Sequence, residues 1–172
     1  CNLNFEVRSS GSITICITGK TDWFGLSING TVRPNLQLSF AIVNDLAESA
    51  TMLRTEDWSI ARDSTLEYGE LSSGGSRIKS DIRTYLKGNN STLDQNIAVN
   101  CETTRVDDHH IEIHHQSGYS SSSLSVKSAC ADKGHAIGTG LLAIEEDCDK
   151  TDAGQVFKNL LLSPQALSLI HI

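Results

Sequence analysis

Short runs of alternating apolar and polar residues, broken by turn-forming residues about every ten positions, constrain this chain most. Residues 12–18 are the clearest run, with Ile13, Ile15 and Ile17 on one face and Thr14, Cys16 and Thr18 on the other. Leu3, Phe5 and Val7 alternate just before it, and Ser9-Ser10-Gly11 between the two runs reads as a hairpin turn. Further strand patterns cover 23–28, 36–43, 97–101, 109–115, 124–130 and 135–144. Asn29-Gly30 reads as a turn dipeptide closing the first of these, and Gly138 and Gly140 read as a bend or bulge in the last. The Ser/Gly-rich stretch 71–76 reads as a mobile loop.

Only the C-terminal part has helical spacing. Thr151 and Asp152 offer N-caps for residues 153–162, with Val156, Leu160 and Leu161 on one side. The expected architecture is all-β, an antiparallel β-sandwich or barrel of about eight to ten strands with a short C-terminal helix. Residues 1–172 read as a single domain without a visible repeat. Residues 151–172 are expected to form the helix and an apolar tail, docked on the core or on a neighbouring subunit.

Composition narrows the function classes. The 172 residues carry a net charge of -7, which argues against a nucleic-acid phosphate binder. No run of 18 apolar residues is present to span a membrane as a helix. Aromatic residues make up 5%, thin for a surface that stacks sugars or bases. Trp23 and Trp58 are both expected in the core.

Several features together suggest secretion. The chain starts at Cys1 rather than methionine, as a chain does after a signal peptide is removed. Three glycosylation sequons begin at Asn29, Asn89 and Asn90, all in stretches that read as exposed turns. Cys1, Cys16, Cys101, Cys130 and Cys148 are widely spaced and lack any C-x-x-C pair, which fits disulfides better than a zinc ribbon. An odd count leaves one thiol to pair with another chain, so a homo- or hetero-oligomer is expected through that cysteine and the C-terminal tail.

One segment invites metal chemistry. Four of the six histidines fall within residues 109–115. On a strand, His110, Glu112 and His114 share a face, close enough for two of them to share a zinc or copper ion. His135 is a candidate further ligand. A solvated, His-rich strand is the plain alternative, and no cofactor is otherwise expected. The acidic run 145–149 lacks the glycine of an EF-hand loop. Gly19-Lys20-Thr21 fails as a phosphate loop because Thr14 stands where that loop needs glycine.

The expectation is therefore a secreted, extracellular, non-catalytic glycoprotein carrying N-linked glycans. It would act by binding or assembly, storing, carrying or recognising a ligand such as a small apolar molecule. A metal-dependent hydrolase or oxygenase using His110, Glu112 and His114 is the first alternative. A lectin-like carbohydrate-binding module is the second.

Overall fold

The computed structural model describes residues 1–172. Strands dominate it from end to end: β1 (Asn2–Val7), β2 (Gly11–Gly19), β3 (Trp23–Val32), β4 (Gln37–Leu46), β5 (Thr51–Ile60), β6 (Thr65–Ser72) and β7 (Arg77–Leu86). They continue as β8 (Thr92–Cys101), β9 (Val106–His115), β10 (Ser121–Cys130), β11 (His135–Ile144), β12 (Asp152–Leu161) and β13 (Leu167–His171). Odd-numbered strands form one sheet in the order β1-β3-β5-β7-β9-β11-β13, and even-numbered strands form the other. Every pairing is parallel and joins a strand to the next but one. The chain is a parallel β-solenoid of about six turns, each turn placing one strand in each sheet.

This corrects the antiparallel sandwich or barrel. Alternation tells which residues face inward, but it says nothing about which strand lies alongside. The corners make the difference. A hairpin turn folds a strand back onto its predecessor, whereas these corners carry the chain across to the opposite sheet. Asn35, Asp63, Asn90, Tyr119 and Asp147 all hold positive φ, and they recur every 27 to 29 residues. Asparagine and aspartate tolerate this left-handed conformation better than most residues. Successive corners stack through backbone bonds: Thr65 N donates to Leu36 O, Thr92 N to Ser64 O and Ser121 N to Ser91 O, each at 2.9 Å. The corner spacing is a structural repeat of one turn, which the reading by alternation passed over.

Other local expectations change for similar reasons. Of the expected helix at 153–162, all but Leu162 lies in β12, paired in register with β10. The apolar tail forms β13, paired with β11. A short segment has weak helical preference of its own, and an open sheet edge overrides it. Asn29 and Gly30 lie inside β3, not in a turn. Gly30 is required by packing, since a Cβ there would sit 2.1 Å from the Trp58 ring. Gly138 and Gly140 lie within a regular β11, where Phe157 fills the space their missing side chains leave. Residues 73–76 are held by backbone bonds to Asn44, Leu46 and Ala50, so the expected mobile loop is tied down.

The core lies between the sheets. Trp58 is fully buried, stacked on Phe5 at 6.4 Å and edge-on to Phe40 at 4.7 Å. Trp23 is 69% exposed, against the expectation of a core role. Leu160, Leu161, Leu162, Leu167 and Ile170 are exposed at the C-terminal end. No helix is long and apolar enough to cross a membrane.

Candidate functional site

Strand β9 divides its polar residues between two environments. Asp108, His110, Glu112 and His114 face outward, while Asp107, His109 and His115 face inward and are buried. Outside, Glu112 joins the two histidines: Oε1 lies 2.8 Å from His110 Nε2 and Oε2 lies 3.0 Å from His114 Nε2. Hydrogen bonds from His114 and His110 hold the Glu112 carboxyl below its usual range, with Arg83 adding to the effect. Tyr85 stacks on His114 at 5.0 Å.

The three residues expected to share a face therefore do meet. His135 does not join them. It pairs with Val106, whereas His110 pairs with Thr139, four residues further along β11. A carboxylate can only accept a hydrogen bond, so both histidines present Nε2–H to Glu112. That tautomer leaves neither Nε2 with a lone pair for a metal. No group of three or more His, Cys, Asp or Glu side chains is arranged to hold a metal ion.

Inside, a chain of charged groups crosses the solenoid. Arg105 donates to Asp107, and Asp107 Oδ1 lies 2.8 Å from His109 Nδ1. His109 Nε2 lies 2.9 Å from Glu70 Oε1, and Arg54 Nη2 donates to both Glu70 oxygens at 2.6 and 2.7 Å. Arg54 Nε then lies 3.2 Å from Glu56 Oε1. Glu56 in turn accepts from Trp58 Nε1 at 2.8 Å and from Tyr68 Oη at 3.0 Å. All these side chains are buried.

The charges hold one another in place. Burial disfavours a charged His109, but Glu70 and Asp107 outweigh it and push its pKa up to about 10. Burial likewise opposes ionised Glu70 and Asp107. Arg54 and His109 nevertheless hold Glu70 down at about 2, and His109 with Arg105 does the same for Asp107. Glu56 differs: burial raises its pKa, and the repulsion of Glu70 adds to that against the pull of Arg54. Reading the sequence for exposed ligands passed over this network. Its signal was present in Met52-x-Arg54-x-Glu56-x-Trp58, where charged residues occupy the inward phase of the alternation.

A charged interior crossing parallel strands is one property of this solenoid, and a family is another. Residues 8–169 match the family model described as SUF system FeS cluster assembly, SufBD core domain. The chain belongs to the SufBD core family. A relative in Escherichia coli (strain K12), the iron-sulfur cluster assembly protein SufD, is 28% identical over 141 residues. That alignment covers 81% of this chain and 33% of the relative, so the chain spans about a third of the protein it matches.

Membership in the SufBD core family overturns the secreted, extracellular glycoprotein that stores or carries a ligand. The lectin-like and metal-hydrolase or oxygenase alternatives give way with it. Family membership lends the three sequons no support as glycan sites. Asn29 sits within β3, and Asn90 is a corner residue whose Nδ2 donates to Asp63 at 3.1 Å. All five cysteines are free thiols in this SufBD core, which corrects the expected disulfide framework. Cys1 and Cys16 are exposed, Cys101 and Cys130 buried, and Cys148 half-buried with Sγ 3.3 Å from His115 O. Burial and the neighbouring Asp107 push the Cys101 thiol up to about 12.

Proposed function

We propose that this chain is the rigid scaffold segment of a subunit that takes part in iron–sulfur cluster assembly, with the cluster as cargo rather than resident cofactor. The observation that carries the reading is the family match across residues 8–169. The solenoid supports it, because stacked in-register strands make a stiff body that orders a surface without a catalytic step of its own. The buried ion pairs add to that rigidity, since Arg54–Glu70 and His109–Glu70 each tie side chains of opposite sheets together.

The subunit works in an oligomer. His110, Glu112 and His114 serve as a polar patch on the flank of the scaffold, not as a metal centre.

A chimaera tests the reading. The matching third of the Escherichia coli relative is replaced by this chain, and iron–sulfur enzyme activity is measured in cells lacking their own copy. Restored activity is expected. A folded, soluble chimaera that restores none overturns the proposal.

A further inference from the structure

Two buried thiols lie side by side in the interior. Cys101 ends β8 and Cys130 ends β10, and the two residues are direct register partners on adjacent parallel strands. In-register neighbours point the same way, and both side chains are fully buried. Adjacent strands run about 4.8 Å apart. That separation falls within the roughly 4.4–6.8 Å between Cα atoms that a disulfide requires. Both cysteines are the last residues of their strands, and their carbonyls accept from Ala131 N and Leu162 N at 2.8 Å, so closure requires these strand ends to open. Cys101 Sγ lies 3.7 Å from His135 O and close to the Arg105 guanidinium, and Cys130 is near enough to influence it.

We propose that Cys101 and Cys130 are a reversible redox pair that closes a disulfide across two successive turns of the solenoid. The oxidant is a low-molecular-weight disulfide. One cysteine thiolate attacks it, forming a mixed disulfide and releasing one small thiolate. The second cysteine attacks the mixed disulfide and releases the other. The two cysteines lose two electrons, the small disulfide gains them, and the two thiol protons end on the released thiolates. Only a thiolate attacks, and a buried thiol ionises reluctantly, so closure is slow and follows opening of the strand ends. Exposed Cys1 and Cys16 react sooner but are not register partners. The inference needs only register and burial, and it stands apart from the cluster-assembly reading.

Peptide mapping tests it. The folded chain is held with oxidised glutathione, its remaining thiols are alkylated, and it is cut after lysine and arginine. Peptides 88–105 and 128–133, each with one of the two cysteines, are expected as a single species two hydrogens lighter than their sum, separated again by dithiothreitol. In Cys130→Ser, checked for a native strand spectrum, that species is absent. Recovery of the two peptides apart, whether alkylated or carrying glutathione, overturns the proposal. So does their linkage to peptides containing Cys1, Cys16 or Cys148.

Discussion

His109 Nε2 stands 2.9 Å from Glu70 Oε1, so a side chain of β9 is bound to one of β6 across the interior of the solenoid. The two residues lie 39 positions apart and on opposite sheets. Asp107 holds the other ring nitrogen of His109. The imidazolium thus sits between two carboxylates, with Arg54 and Arg105 beyond them.

Removing that imidazolium leaves two buried carboxylates short of a partner. His109→Leu is expected to lower unfolding stability by about 3–5 kcal/mol, the usual cost of breaking a buried ion pair from one side. Urea unfolding followed by circular dichroism measures it. An unchanged midpoint would mean that Glu70 and Asp107 are solvated rather than paired.

The same groups set a pH window. His109 is raised above its ordinary 6.5, so its contribution is full below about 6.5 and is lost as pH rises through about 10. Glu70 is depressed from 4.5, so its contribution is full above that value and is lost as pH falls through about 2. Stability is expected to be greatest between about 4.5 and 6.5 and to decline on both sides. Thermal unfolding across pH 3 to 10 checks this (an experimental range of about seven units), and His109→Leu should flatten the alkaline side. A flat profile in the parent protein would contradict the assignment.

Gly30 lies under the Trp58 ring with no room for a methyl group. Gly30→Ala is expected to destabilise by about 1–3 kcal/mol through overpacking. Tryptophan fluorescence should shift as the ring moves. A neutral substitution with an unchanged spectrum would show that the ring has space elsewhere.

The outward carboxylate should matter far less. Glu112 is half-buried and its partners face solvent, so Glu112→Gln is expected to cost less than about 1 kcal/mol. Loss of several kcal/mol on denaturant titration would show that the His110–Glu112–His114 bridge carries structural weight that its exposure does not suggest.

Much of the local structure was legible in the chain. Strand patterns at 12–18, 109–115 and 124–130 fall within β2, β9 and β10, and the one at 36–43 overlaps β4 from Gln37 onward. The shared face of His110, Glu112 and His114 followed directly from alternation. What misled was the punctuation. Asn29-Gly30 resembles a hairpin turn in isolation, yet the glycine serves a tryptophan 28 residues further on. Residues 153–162 satisfy a helical pattern and a strand pattern alike, and only the waiting edge of β10 selects between them.

By itself, the sequence determined which side chains face inward, because a period of two assigns faces strand by strand without reference to neighbours. Only the tertiary structure decided that the strands run parallel, that His109 meets Glu70, and that Cys101 lies beside Cys130. Those are relations between residues about 30 to 40 positions apart. They arise when whole turns stack in register, and no short-range periodicity contains that information.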